Sequence, residues 1–423
     1  MQTRNMAIKI CPFTQQREGE EVIIGKVETG VFLALPQEAA ELLQELAEGK
    51  SVEEVSDLYE QKYGERPDMD DFLGVLETKG IVEVSAERGE AKGDGGEAKA
   101  EWREAKGERS RNPQVLQPRY HFSGFPQHLA KLLFSWPILA GCLLVIFEAS
   151  CAIVVDPSLL PVPQDLFFPD HRTLTWTILI VLDLVAVFIH ELGHLVAARA
   201  AGVNSRMGIS NRLWNLVAET DLTGLWGVPK RQRYLPMLAG MLIDATTAAL
   251  LVLLLLAQRR DLLVMSGFCV RLIRALALSY LLRILWEFFL FVRTDVYYLI
   301  ATFFNCKNLL RDTTVVLRNQ LARFIRFIRP VEQPAIPASE LRVVRAYAVL
   351  WLAGRIWAFA TLFWLTIPVG ARYIRDLTGV FSTGYSANPS NFIDAVALAT
   401  YFLVPTTAGL VLWAQRLLKT ERI

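Results

Sequence analysis

From about residue 132 onward the chain runs repeatedly for twenty or more residues with almost no charge. At about 1.5 Å per residue, a helix of that length crosses the ~30 Å hydrocarbon core of a bilayer. Six stretches qualify, at roughly 132–155, 174–198, 234–257, 275–303, 347–369 and 393–415. The fourth carries Arg283 and Glu287 at i,i+4 spacing, where the pair can neutralise itself. Composition agrees: 52% of the residues are hydrophobic and 21% charged, against about 25% charged in a typical soluble chain. The expected fold class is mainly α: a multi-pass membrane helix bundle of about six spans, preceded by a small N-terminal α+β, winged-helix-like domain.

That first domain is expected over residues 1–86. Val22, Ile24 and Val27, then Val31 to Leu35, suit a hairpin turning at Glu28-Thr29-Gly30. Pro36 opens a helix that Gly49 stops. Ser51 and Glu54 form a capping box for a second helix, a third runs from about Asp68 to Lys79, and Ile81 to Val84 closes as a strand. Residues 87–118 repeat Gly-Glu-Ala-Lys and show no apolar periodicity, so a flexible charged linker is expected there, with the domain tethered rather than docked. The membrane part then occupies 119–423. Met1 to Glu21 is polar and has no apolar core of a signal peptide.

Charge sorts the partners. The whole chain is +1, yet residues 1–86 hold 8 basic and 18 acidic side chains. An acidic domain offers phosphates no basic face, so nucleic acid is excluded as a partner and the lipid bilayer is the expected environment. Basic residues crowd the loops 199–233 and 304–346 and the C-terminal tail, whereas loop 156–172 carries Asp156, Asp165 and Asp170. The positive-inside rule then puts both termini in the cytoplasm, with Arg259 and Arg260 as the exception. Five cysteines, an odd number without metal-ligand spacing, make no disulfide framework.

Chemistry concentrates in the second span, which contains His190-Glu191-Leu192-Gly193-His194. On a helix the two imidazoles share one face and can bind one Zn²⁺, with Glu191 placed to take a proton from water at the metal. Only five histidines occur in the chain, and three ionisable groups in an apolar span are costly enough to require a role. A catalytic zinc takes three protein ligands. His121, His128 and His171 lie outside the spans, which leaves the carboxylates within them. Counting residues from the membrane face places Asp295 level with the histidines and Asp244 nearer the midplane. Asp295 is therefore favoured, with Asp244 as the alternative, and Asp183 is too far along the same helix. Tyr297 and Tyr298 suit either an oxyanion site or the bilayer interface, and Arg355 in the fifth span needs a partner.

The HELGH span, followed two spans later by Phe291-Val-Arg-Thr-Asp295-Val-Tyr-Tyr298, resembles the site-2 protease family of intramembrane zinc metalloproteases, in particular its bacterial branch of peptide zinc metalloproteases. The segment from Thr220 to Trp226 and on to Asp244 resembles the same branch. The resemblance implies zinc held by His190, His194 and Asp295, Glu191 as the catalytic base, a peptide or protein substrate, and location in the bacterial inner membrane. Val296 stands where the family has glycine, and the family's Asn-Pro and Leu-Asp-Gly motif is absent. Residues 20–86 resemble PqqD-type domains, which implies recognition of a leader segment of a ribosomally made, modified peptide. A rival reading is a transporter or peptide-maturation scaffold with a structural zinc and no proteolysis. An intact Glu191 argues for hydrolysis, because a structural histidine pair needs no carboxylate beside it.

Overall fold

The computed structural model describes residues 6–19, 21–26, 31–86, 119–122, 124–168, 172–212, 215–306, 308–325, 327–331, 336 and 338–420. The 28–30 turn, the 87–118 linker and His171 lie outside these. Two compact units emerge: Met1–Ser123 with Ala201–Ser210 and Asp221–Arg233, and Gly124–Ala200 with Asn211–Thr220 and Tyr234–Ile423.

The first unit begins with strands β1 (Met6–Ile10), β2 (Thr14–Glu18), β3 (Glu21–Lys26) and β4 (Val31–Pro36). Helices α1 (Gln37–Ala47), α2 (Val52–Tyr63) and α3 (Met69–Thr78) follow, then β5 (Val82–Ala86). β2, β3 and β4 form an antiparallel meander, and β1 pairs antiparallel with β5. The expected hairpin strands, three helices and closing strand are present. Two further strands stand in the segment read only as polar. Ile8 and Ile10 flank Lys9 there, and both pack on the core. Local chemistry sets the helix ends. The Ser51–Glu54 box caps α2 from both sides, and Gly80 turns the chain out of α3 at φ +69°. Ile24, Leu43, Val55, Leu76 and Ile81 fill the core.

This unit also holds the turn Thr223–Gly227 and buried Arg233. Gly227 lies against Thr14 and Phe32. Arg233 ion-pairs with Glu18, stacks 5.0 Å over the Trp226 ring, and donates to the Val228 and Trp226 carbonyls. Strands β6 (Arg119–Phe122) and β7 (Arg206–Arg212) pair antiparallel, and β8 (Asn215–Asp221) follows.

The second unit is helical. α4 (Gln127–Leu133) and α5 (Trp136–Val155) run together, followed by α6 (Arg172–Ala200) and α7 (Lys230–Arg259). Then come α8 (Gly267–Trp286), α9 (Asp295–Phe304) and α10 (Leu309–Ala322). α11 (Ala338–Thr361) continues through a π turn at Leu362–Thr366 into α12 (Ile367–Thr383), and α13 spans Pro389–Thr420. Among the described residues four helical stretches are long and apolar enough to cross a membrane: Gln127–Val155, Arg172–Ala200, Lys230–Arg259 and Glu340–Thr383. Six such stretches were expected. The expected fourth span is broken between Trp286 and Asp295, and α8 carries Arg271, Arg274 and Arg283. In α13 the described apolar stretch is Pro389–Val404. Leu143, Leu144 and Phe147 on α5 are exposed, as a lipid-facing helix requires.

The arginines at the expected outer end are matched by acids. Arg259 pairs with Asp156 at 2.7 Å and Arg274 with Asp165 at 2.8 Å. Arg283 does not pair with Glu287. It reaches Asp183 at 2.5 Å and Asp244 at 3.4 Å, while Ser279 donates to Asp183 at 2.7 Å.

Candidate metal centre

α6 is apolar for most of its length, so His190 and His194 are carried into the protein with the rest of its packing face. Both are buried, with ring centroids 4.8 Å apart. α7 comes unusually close. A side chain on Gly193 would collide with Ile243, and one on Gly240 would overlap Nε2 of both histidines. Two glycines, one on each helix, thus open the space in which the rings meet.

Each ring is oriented by its other nitrogen. Nδ1 of His190 lies 2.9 Å from Oδ2 of Asp244, and Nδ1 of His194 lies 2.7 Å from the Pro236 carbonyl. A carbonyl and a carboxylate only accept, so both Nδ1 atoms donate, and Nε2 is the nitrogen each ring turns toward Asp295. Those two Nε2 atoms are 3.1 Å apart. Oδ2 of Asp295 completes the group, 2.9 Å from Nε2 of His194 and 3.3 Å from Nε2 of His190. His190, His194 and Asp295 form a cluster whose ligand atoms lie within 4.8 Å of one another. Three possible ligand atoms converge here, and Oδ2 of Asp295 is buried without a hydrogen-bond partner. A cation held among the three atoms would give that oxygen a partner. Two imidazoles and a carboxylate fit zinc in number and kind.

Asp295 arrives by a route that depth counting did not foresee. It is the first residue of α9, after the turn 287–294, rather than a mid-span residue. The turn is held at several points. Its Asp295 N–H donates to the Glu287 carboxylate at 2.9 Å, and the Thr294 hydroxyl donates to the Glu287 carbonyl at 2.8 Å. From α11, the Tyr347 hydroxyl donates to the Leu290 carbonyl at 2.5 Å, and Gly354 lies against the backbone of Phe288 and Leu290. Arg355 finds its partners here, 4.9 Å over Phe291 and 4.5 Å over Trp351. The fifth expected span therefore braces the segment that presents the third member of the cluster, the Asp295 carboxylate.

Asp244, the alternative ligand, lies behind His190 and is tied to Arg283. Its neighbours Thr246 and Thr247 bond their own helix carbonyls instead. Glu191 is fixed by β8: its carboxylate accepts the Thr220 N–H at 3.0 Å and its carbonyl accepts the Thr220 hydroxyl at 2.9 Å. Tyr297 is buried beside Tyr347 and Tyr298 is partly exposed. His128 is exposed. Sequence reasoning missed Gly240, the Pro236 carbonyl and the Asp183–Arg283–Asp244 chain. The sequence allowed Asp244 a cationic partner or a supporting role behind the histidines, and both are present; it did not identify Arg283 as that partner or join Asp183 to it. The chain matches no family model, no curated protein and no solved structure.

Proposed function

We propose that the chain is a membrane-embedded zinc endopeptidase of the site-2 protease kind, with a PqqD-like N-terminal domain that captures a ribosomally made or membrane-associated peptide. One observation carries the reading: possible ligand atoms of His190, His194 and Asp295 converge within 4.8 Å of one another, with Oδ2 of Asp295 buried and unpartnered, and Glu191 next to His190 on the same helix. Zinc supplies Lewis acidity toward a peptide carbonyl and toward water in a site of this composition. The chain's own residues do the rest. Asp244 and the Pro236 carbonyl hold the two imidazoles in the ligating tautomer. Glu191, held by the Thr220 N–H, takes the proton of the attacking water and returns it to the leaving amine. A helical substrate hides its carbonyls, so it must enter extended.

In this reading α8 and α9 cross together as a broken span and α13 completes six crossings. The basic loops and both termini then face the cytoplasm of a bacterial inner membrane. Pairing of Arg259 and Arg274 with loop acids supports the outer placement of that end. The rival, a transporter or maturation scaffold with structural zinc, predicts the same metal content and no cleavage. Purified full-length protein and its Glu191→Gln variant, incubated with peptides encoded beside it in the genome, separate the two. Cleavage by the wild type and none by a zinc-loaded variant is expected. Absence of cleavage by both, with zinc bound, favours the rival.

A further inference from the structure

A second surface feature stands apart from the metal centre, at the end of α10. From Thr313 to Val331 the chain has four arginines, Arg318, Arg323, Arg326 and Arg329, and no acid. They alternate with apolar pairs in Arg323-Phe-Ile-Arg326-Phe-Ile-Arg329. Phe324 is 85% exposed and Phe327 97% exposed, with Ile325 and Leu321 also exposed. Scattered single apolar residues on a surface need no explanation, but two phenylalanines three residues apart, both almost fully exposed, do.

The segment is built. The Arg318 guanidinium donates to the Arg329 carbonyl at 3.0 Å. The Asn319 side chain clamps Val331 twice, donating to its carbonyl at 2.9 Å and accepting its N–H at 2.9 Å. Arg329 and Val331 are thereby brought back against α10, and Phe324 and Phe327 lie in the exposed chain between. Val331 lies seven residues before α11, the helix that leads into the apolar stretch Glu340–Thr383.

We infer that this segment is a membrane-surface wedge for anionic phospholipid, with Phe324 and Phe327 entering the acyl boundary and the exposed Arg323 and Arg329 neutralising headgroup phosphates. Charge decides the occupant. An acid-free segment of arginines and exposed apolar residues complements a surface that is anionic outside and apolar beneath. Arginine binds phosphate oxygens through its planar fork, and each such contact near an anionic leaflet strengthens association about fivefold.

The test uses the full chain with a nitroxide at position 327. In a variant with Cys142, Cys151 and Cys269 changed to Ser, the buried Cys11 and Cys306 remain and the label goes to Phe327→Cys. A parallel variant carries it at Phe324→Cys, so that failure of one to reconstitute leaves the other. Bilayer discs of phosphatidylcholine are compared with discs that also contain phosphatidylglycerol, by collision with oxygen and with a water-soluble nickel reagent. The expected result is a label reached by oxygen more than by nickel in the anionic discs, with that depth lost in neutral discs or after Arg323→Gln with Arg329→Gln. A label reached freely by nickel in both discs overturns the inference. So does the same depth in both with no effect of the arginine changes. Loss of depth on adding inorganic phosphate alone would point to a free-anion site, and a label shielded from both reagents would point to a covering protein. Either result also overturns it.

Discussion

Gly240→Ala is the sharpest perturbation of the metal centre, because it adds one carbon and changes no ligand. In an ordinary helix the substitution stabilises by up to about 1 kcal/mol. Here the new carbon would overlap Nε2 of His190 and His194. The rings cannot retreat freely, since Nδ1 of His190 is tied to Asp244 at 2.9 Å and Nδ1 of His194 to the Pro236 carbonyl at 2.7 Å. Breaking one such bond costs about 1–3 kcal/mol, and each 1.4 kcal/mol is tenfold in affinity. Zinc affinity should therefore fall by about 10–100-fold, the range seen when the groups that orient metal ligands are lost. The assay is competition between purified protein and a chelator of known affinity, with the helical signal measured alongside. Gly141→Ala on α5 is the matched control, because a side chain there meets nothing within 4 Å. Zinc affinity within twofold of wild type in Gly240→Ala would refute the geometry argued for the two imidazoles.

Asp244→Asn keeps an acceptor for His190 but removes the charge that holds Arg283, so zinc affinity should drop about tenfold, read by the same competition. Tyr347→Phe removes the bond to the Leu290 carbonyl and loosens the turn before Asp295. It should weaken zinc binding several-fold, about 1 kcal/mol in the usual range for one hydrogen bond, and leave α1–α3 unchanged in hydrogen exchange. In the N-terminal domain the Lys62 ammonium, with Tyr63 and Gln37, holds the Glu41 carboxyl down at about 2. A carboxylate lowered on folding stabilises above its unfolded pKa, near 4.5, and that contribution fades as pH falls toward 2. Glu41→Gln should therefore reduce hydrogen-exchange protection of α1 and α2 at pH 7 by no more than about 1 kcal/mol, given its solvent screening, with the difference closing in acid.

How much of this was readable in the sequence depends on the range of the interaction. The three N-terminal helices follow from local signals: the Ser51–Glu54 box, Gly49 and Gly80. Strand β1 was hidden because five residues with two isoleucines carry little periodicity until β5 pairs with them. His190, Glu191 and His194 were legible because one helical turn fixes their spacing. Asp295 was found for a partly mistaken reason. The depth count assumed a continuous span, whereas the helix stops at Trp286 and restarts at Asp295 itself. No count along the chain gives the closeness of α7 at Gly240, or the choice of Arg283 for Asp183 and Asp244 over Glu287. Both are set by packing between helices distant in sequence.

The central claim is that His190, His194 and Asp295 hold one metal ion together. X-ray absorption at the zinc edge of the purified full-length protein, with metal content measured on the same sample, tests it most directly. One zinc per chain is predicted, with two imidazole nitrogens and a carboxylate oxygen at about 2.0–2.2 Å and no sulfur. His194→Ala and Asp295→Asn should each lose most of the metal. A protein that purifies without zinc and takes none up, or one that keeps the same spectrum and full occupancy in either variant, would contradict the account.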